Sequence, residues 1–182
     1  MSVFSIILAT HDSERALVPT LAALVPGATA GIVREVIVAD AGSADGTREV
    51  ADIAGCQFLV SSEPRGARLA AAARGARADW LMFLDPGAVP AATWIDDTMA
   101  FVDRAGIEAR GAVFAEAAGF LAALRRRLLL PAARQGLMLR KTVYAELGGH
   151  RANSANPEAA LVRRIGRRRL TTLRTAVSFP DI

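Results

Sequence analysis

The chain has 182 residues, of which 52% are hydrophobic and 22% are charged, and this composition fits one domain with a sizeable core and excludes global disorder. Cys56 is the single cysteine and there are two histidines, which excludes an intrachain disulfide and a Cys/His zinc cage. The net charge of +4 is uneven, because residues 121–182 hold 13 basic and 3 acidic side chains whereas residues 1–120 hold 9 and 15. This asymmetry indicates either an anionic partner or a GC-rich genome that favours arginine.

Neither a targeting segment nor a membrane span is expected. The first ten residues lack the basic segment that opens a signal peptide, and no run of about 18 uncharged apolar residues predicts a transmembrane helix. We therefore expect a cytoplasmic protein. Aromatic residues are only 5% of the chain and no nucleic-acid recognition motif is present, so nucleic-acid binding is not expected.

Four short apolar runs, each followed by a polar turn, predict strands that are buried on both faces. They cover residues 3–9, 35–39, 57–61 and 80–84. Helical patterns between them cover residues 13–24, 47–53 and 68–77. Pro26-Gly27 is expected to end the first helix. The βαβαβαβ order predicts an α/β fold with a mostly parallel, Rossmann-like sheet flanked by helices.

The second half of the chain predicts shorter elements. Helices are expected over residues 94–103, 141–147 and 158–166, and strands over residues 136–139 and 170–178. The stretch 114–130 is apolar but contains Arg125-Arg126-Arg127, so a helix there would place a basic face on anionic lipid or in solvent.

An aspartate stands at or just after the end of three of the predicted strands, namely Asp12, Asp40 and Asp85. Ligands of doubly wound sheets bind beyond the carboxyl ends of the strands. A single aspartate in such a turn is a common turn former, but three at one edge indicate a polar ligand or a cation. The G-x-G-x-x-G fingerprint and the P-loop motif are absent, so we do not expect NAD binding or P-loop phosphate binding.

Five segments of the chain carry a resemblance to a known family. SIILATHDSE, EVIVADAGSADGT, DWLMFLDPGAVP, QGLMLRKTVYAELGGH and PEAALVRRIGRRR resemble the family 2 glycosyltransferases of the GT-A fold, and are most similar to short bacterial members. The resemblance runs from Ser5 to about Ser178. It implies one domain over residues 1–182, with a nucleotide-binding half (1–90) and an acceptor-side half (91–182) that carries the basic C-terminal region.

The resemblance also implies an activity and a set of site residues. The activity is transfer of a sugar from a nucleotide-sugar donor to a hydroxyl of a glycan, a lipid or a small molecule. The residues that would line the nucleotide pocket are Thr10, His11, Asp12, Asp40, Gly42, Arg65 and Arg68. Asp40 would face the base, and Glu158 would be the catalytic base that an inverting transfer needs. Asp85 would be the first acid of the D-x-D motif, which holds Mg²⁺ or Mn²⁺ and the diphosphate.

The chain departs from the family pattern in four places. Gly87 replaces the second acid of D-x-D, so a divalent cation at Asp85 would be held weakly. Pro157-Glu158 replaces the Glu-Asp pair, alanines fill positions 70–73 where an asparagine is usual, and Arg134 stands in place of an aspartate. These losses of polar function leave a second hypothesis open, in which the chain is a non-catalytic nucleotide- or anion-binding relative that acts as a regulatory or partner module.

The arginines of the C-terminal region indicate where an anionic partner would bind. Arg163-Arg164 and Arg167-Arg168-Arg169 would contact the diphosphate or a lipid phosphate, which would place the protein at the inner face of the membrane. His11 is either a nucleotide-site residue or a local hydrogen-bonding residue at a strand end. The sequence leaves the sugar, the base, the acceptor, the metal and the oligomeric state undefined.

Overall fold

A computed structural model describes residues 3–105, 111–116 and 136–180 of the chain. The strands within these ranges are β1 (Phe4–Thr10), β2 (Val33–Asp40), β3 (Gln57–Val60), β4 (Trp80–Leu84), β5 (Val89–Pro90), β6 (Gly111–Glu116), β7 (Leu137–Arg140) and β8 (Leu170–Ser178). The helices are α1 (Glu14–Thr29), α2 (Thr47–Ile53), α3 (Arg65–Gly75), α4 (Trp94–Arg104), α5 (Lys141–Glu146) and α6 (Pro157–Ile165), and a 3-10 turn follows (Arg167–Arg169).

The described strands form one sheet in the order β3-β2-β1-β4-β7-β6-β8-β5. The four predicted strands make a parallel quartet, in which Thr10 lies opposite Asp40 and Leu8 lies opposite Leu84. β7 is antiparallel to both β4 and β6, β8 is parallel to β6, and β5 is antiparallel to β8. The predicted α/β fold with a mostly parallel sheet is therefore confirmed. The carboxyl ends of β1, β2 and β4 meet at one edge of the sheet.

Every residue of β1 is buried because helices cover both faces of the sheet. Phe4, Ile6 and Leu8 pack in a core with α1, α2 and α4. Ile7 and Ala9, whose side chains point the other way, pack in a second core with α3, α5 and α6. A strand buried on both sides has no polar face, which explains the continuous apolar run in the sequence. None of the helices among the described residues is long and apolar enough to cross a membrane.

The expected end of the first helix at Pro26-Gly27 is wrong, since α1 continues to Thr29. Gly31 (φ +70°) follows the C-cap residue Ala30, and here the N–H of Ile32 donates to the carbonyl of Gly27 at 2.9 Å and the N–H of Gly31 donates to that of Ala28 at 3.0 Å. These two bonds are those of a Schellman cap. Gly27 has a packing role instead, because a Cβ at this position would lie 2.4 Å from the Trp94 ring.

Other boundaries also differ from the prediction. α3 begins at Arg65 rather than at residue 68, since Pro64 stands at its N-cap and fixes the turn before it. β5 has two residues, and β6 is a short buried run, so neither shows a strand pattern in the sequence. The expected basic helix face at Arg125-Arg126-Arg127, and Arg134, lie outside the described residues.

Replacing Gly27 with alanine should destabilise the protein by about 1–3 kcal/mol, because the new methyl group overlaps the Trp94 ring in a packed core. Gly75→Ala is the matched control, since nothing lies within 4 Å of a Cβ at the end of α3. That variant should be neutral or gain up to about 1 kcal/mol. Urea unfolding of both variants measures the difference. Equal urea midpoints for Gly27→Ala and Gly75→Ala would show that Trp94 does not pack on Gly27.

Candidate functional site

A cleft of about 480 Å³ lies at the carboxyl ends of β1 and β4. We call it the strand-end cleft. Its walls come from the end of β1, the start of α1, the first turn of α3, the turn after β4 and the first turn of α6. The lining residues are Ala9, Thr10, His11, Asp12, Ser13, Ala16, Arg65, Arg68, Asp85, Pro86, Ala155, Asn156, Pro157 and Glu158. Seven predicted site residues therefore line one cleft, whereas Asp40 and Gly42 are not part of its lining.

Asp40 lies behind the cleft wall with its carboxylate fully hydrogen bonded, and it is 1% exposed. Its Oδ2 accepts from the hydroxyls of Thr10 (2.7 Å) and Ser43 (2.5 Å), and its Oδ1 accepts from the N–H groups of Gly42 and Ser43 (both 2.7 Å). Burial raises the pKa of Asp40, but the hydrogen bonds from Ser43 and Thr10 outweigh it and hold the pKa below its usual range. Asp40 thus closes the turn after β2, where Gly42 adopts φ +92°.

His11 and Asp12 form the exposed rim of the cleft. Asp12 has φ +45°, which is unusual for a residue with a side chain. Its N–H donates to the Ser43 hydroxyl at 2.9 Å, and its Oδ1 accepts from the N–H of Ala44 at 2.8 Å. The His11 Nε2 lies 3.8 Å from the Asp12 Oδ2. These contacts fix the rim to the turn after β2 and present an imidazole and a carboxylate to the cleft.

Arg65 occupies the centre of the cleft and contacts both candidate catalytic acids. Its Nε donates to the Glu158 Oε1 at 2.6 Å, and its NH2 group donates to the Asp85 Oδ1. Its NH1 group donates to the Ala9 carbonyl at 3.1 Å, which anchors the guanidinium to the end of β1. We call Arg65, Asp85 and Glu158 the Arg65 cluster. It joins residues that are 20 and 93 positions apart in the sequence.

Arg68, one turn further along α3, also lines the cleft and holds the strand ends through its Nε and NH1 groups. Its NH1 group donates to the carbonyls of Thr10 (3.0 Å) and Ala39, and its Nε donates to the Glu63 carbonyl (3.2 Å). Burial and the neighbouring Arg65 lower the pKa of Arg68, while Asp40 acts in the opposite direction. The buried guanidinium therefore holds the ends of β1 and β2 at fixed spacing.

Glu158 reaches the cluster because α6 begins close to α3. Asn156 caps α6 by accepting the Ala159 N–H on its Oδ1 at 2.9 Å, and Pro157 is the first helical residue. The chain before α6 crosses directly over Gly66, where a Cβ would lie 2.1 Å from the carbonyl oxygen of Arg151. Gly66 thus permits the approach that places Glu158 on Arg65. No local pattern in the sequence marks Gly66 as a site residue.

Tyr144 and His150 form a buried pair that no sequence motif predicted. His150 is 4% exposed, its Nδ1 lies 3.0 Å from the Tyr144 hydroxyl, and its N–H donates to the same hydroxyl at 3.0 Å. Its Nε2 is buried with no hydrogen-bond partner among the described residues. Burial, together with the charges of Arg164 and Arg65, lowers the pKa of His150 to about 3. Arg164 itself donates to the carbonyls of Leu147 and Gly149 (2.5 Å for the latter), so it supports this segment.

The donor set at Asp85 does not fit a dedicated site for Mg²⁺ or Mn²⁺. Such ions are held in proteins by several oxygen ligands, carboxylates above all. Over residues 3–105, 111–116 and 136–180, no three His, Cys, Asp or Glu side chains are grouped as ligands of a metal ion. The Asp85 carboxylate is instead paired with a guanidinium, and Glu158 lies on the other side of that same group.

Comparison with solved structures identifies the fold. Glucosyl-3-phosphoglycerate synthase from Mycobacterium tuberculosis, in complex with Mn²⁺, UDP and glucosyl-3-phosphoglycerate, matches with a TM-score of 0.74 and 17% identity, over 100% of this chain and 73% of that chain. The same enzyme with Mg²⁺ and UDP matches with a TM-score of 0.76 and 17% identity, over 100% and 72% of the two chains. The fold of this chain is therefore that of the GT-A glycosyltransferases.

The sequence comparison gives the family. The model of glycosyl transferase family 2 matches residues 5–153, and the chain belongs to that family. No curated protein sequence matches the chain. The resemblance seen in the sequence motifs is thus confirmed, and the family supports transfer of a sugar from a nucleotide-sugar in general.

Because the pKa of His150 is lowered to about 3, the native state should lose stability in acid. Between pH 6.5, where a free imidazole titrates, and the folded pKa, the unfolded chain binds a proton that the native state does not. The free energy of unfolding should therefore fall as pH decreases, by roughly 1.4 kcal/mol per pH unit within that window. Urea unfolding between neutral pH and the lowest pH that permits folding measures the slope.

His150→Phe should remove this contribution to the slope, although it should also lower stability at neutral pH by leaving the Tyr144 hydroxyl without its imidazole partner. Tyr144→Phe is the control, because it removes the same hydrogen bond and keeps the His150 imidazole. It should lower stability at neutral pH and retain the slope. An equal slope in wild type and His150→Phe would show that His150 is not the buried neutral group.

Proposed function

We propose that this chain transfers a sugar from a nucleotide-sugar to a hydroxyl acceptor, with the donor bound in the strand-end cleft. The observation that carries the proposal is the Arg65 cluster. It brings the single acid of the turn after β4 and the acid of the first turn of α6 onto one guanidinium. These two acids are the ones that the family motifs assign to the diphosphate and to the base.

In the proposed reaction, the Glu158 carboxylate accepts the proton of the acceptor hydroxyl while the acceptor oxygen bonds to the sugar C1. The bond between C1 and the diphosphate oxygen breaks, and its electron pair remains on that oxygen. Arg65 lies beside both acids and can donate N–H groups to the oxygen that gains charge. Thr10, His11 and Asp12 would form the wall on the nucleotide side.

This arrangement supports the division of the chain into two functional halves. Residues 1–90 supply Arg65, Asp85 and the rim at His11 and Asp12, and would hold the donor. Residues 91–182 supply Glu158 and would face the acceptor. The contact of Asp40 with the base stays a prediction, and the hydrogen bonds of Asp40 support an indirect role in which it fixes the turn beside the nucleotide.

The choice of the first donors to test follows from the structural neighbours, which bind UDP and UDP-glucose. The acceptor class is open, and phosphoglyceric acid, which the neighbouring enzyme binds, belongs in the first panel. The cytoplasmic location and the contact with an anionic membrane surface also stay predictions. The exposed side chains of Arg163, Arg168 and Arg169 on α6 and the following turn support such a contact.

Binding is tested first, with a thermal-shift panel of nucleoside diphosphates and nucleotide-sugars. A ligand that binds only the native state raises the melting temperature, by an amount that grows with its concentration over Kd. We expect at least one nucleotide-sugar to do so. If none does, the proposed function is wrong. If one binds but no acceptor in the panel receives the sugar, the non-catalytic nucleotide-binding hypothesis is favoured.

Glu158→Gln should then reduce kcat at least about 100-fold, because glutamine keeps the shape of the side chain and cannot accept the proton. Donor binding should persist in this variant. Glu49→Gln makes the same chemical change on the exposed surface of α2, outside the cleft, and should leave transfer unaffected. Wild-type turnover in Glu158→Gln would remove Glu158 from the reaction.

A further inference from the structure

The turn after β4 is built in a way that disfavours a second acid. Gly87 has φ +89°, a conformation that favours glycine. Its N–H lies 2.9 Å from both the carbonyl of Ala16 and the hydroxyl of Thr20, so the turn is fastened to α1. The loss of the second D-x-D acid is therefore part of the local backbone geometry, and an aspartate at this position would be strained.

The charge at Asp85 is balanced without a metal ion. Two carboxylates and a divalent cation have no net charge, and one carboxylate with one arginine has none either. Asp85 and Arg65 form such a pair, with the guanidinium in direct contact with the carboxylate. The chain has thus lost one negative charge at Gly87, and Arg65 balances the remaining acid of that turn. Glu158 contacts the same guanidinium, so the Arg65 cluster carries a formal net charge of −1, and Arg68, one turn further along α3, adds a positive charge to the cleft lining.

From this geometry we propose that Arg65 takes the role of the divalent cation, so that the donor diphosphate binds to Arg65 and neither binding nor transfer requires a metal ion. The inference rests on the proposed function and specifies how the same site handles the charge of the leaving group. The Arg65 guanidinium would thus stand in place of the weakly held Mg²⁺ or Mn²⁺ that the sequence motifs imply at Asp85.

Arg65 has the geometry that this role requires. A guanidinium carries five N–H donors in a planar fork. Arg65 uses three of them on described residues, namely the side chains of Glu158 and Asp85 and the carbonyl of Ala9. Two donors remain for phosphate oxygens, and the side chain is 35% exposed, so a diphosphate in the cleft can reach them. The bond to Ala9 keeps the guanidinium in place when a ligand arrives.

The experiment measures the Kd of UDP and of inorganic pyrophosphate by calorimetry, once with EDTA and once with Mn²⁺. Because pyrophosphate binds Mn²⁺ in solution, its titrations are corrected with a protein-free blank. We expect each Kd in EDTA to lie within about threefold of its value with Mn²⁺, since the charge that binds the diphosphate is covalently part of the chain. A ligand that binds with Mn²⁺ and not with EDTA would overturn the inference.

Variants identify the group responsible. Arg65→Gln should weaken pyrophosphate binding at least about tenfold, which is the range for a lost charge-assisted hydrogen bond. Arg65→Lys keeps the positive charge but loses the planar set of N–H donors. Its Kd for pyrophosphate should lie between those of the wild type and Arg65→Gln. In Asp85→Asn, as in the wild type, the Kd measured with EDTA should match the Kd measured with Mn²⁺. If Asp85 were a metal ligand, the wild type would bind more tightly with Mn²⁺ and this variant would lose that difference. Unchanged binding in both Arg65 variants would contradict the inference.

The outcomes separate this inference from the proposed function. UDP binding that depends on Mn²⁺ overturns the role of Arg65 and leaves the transferase proposal standing. Pyrophosphate binding that depends on Arg65, with no nucleotide-sugar bound in the thermal-shift panel, supports the role of Arg65 and overturns the transferase. If neither UDP nor pyrophosphate binds under any condition, the inference is wrong.

Discussion

The Arg65 guanidinium links three parts of the chain that are distant in sequence: the end of β1, the turn after β4 and the first turn of α6. Without Arg65, the two carboxylates and the Ala9 carbonyl would have to be hydrated at the edge of the sheet. Two carboxylates in one partly buried cleft would repel each other, and the arginine between them converts that repulsion into attraction. The shape of the cleft therefore depends on this one cation.

Two buried contacts make the platform beneath the cleft rigid. Arg68 donates to the carbonyls at the ends of β1 and β2, and Asp40 accepts four hydrogen bonds from Thr10 and the turn after β2. The four hydrogen bonds engage both oxygens of Asp40, so its contribution is indirect, while Arg68 directs three of its five N–H donors to backbone carbonyls. They hold the strand ends while the exposed rim, His11 and Asp12, and the centre, Arg65, face the ligand space. Fixed donors of this kind are what electrostatic stabilisation of a leaving group requires.

The parallel quartet was predictable from the sequence because burial on both faces produces unbroken apolar runs, as in β1 and β4. The acids Asp85 and Glu158 were found through family motifs that lie at strand and helix ends. The pairing of both with Arg65 was not predictable, because the partners are 20 and 93 residues apart and no local period encodes such a contact. Gly66 was missed for the same reason. A glycine is needed there because the backbone at Arg151, some eighty-five residues later, leaves no room for a Cβ.

A double-mutant cycle on Arg65 and Glu158 measures how strongly this ion pair holds α6 at the cleft, and it requires no knowledge of the ligand. The free energies of unfolding in urea would be compared for wild type, Arg65→Gln, Glu158→Gln and the double variant. A coupling energy of about 0.5–2 kcal/mol, decreasing with added salt, is predicted for a partly buried ion pair. Additive effects of the two single substitutions, with no coupling at any salt concentration, would show that Arg65 does not hold Glu158 in the cleft and would contradict the account.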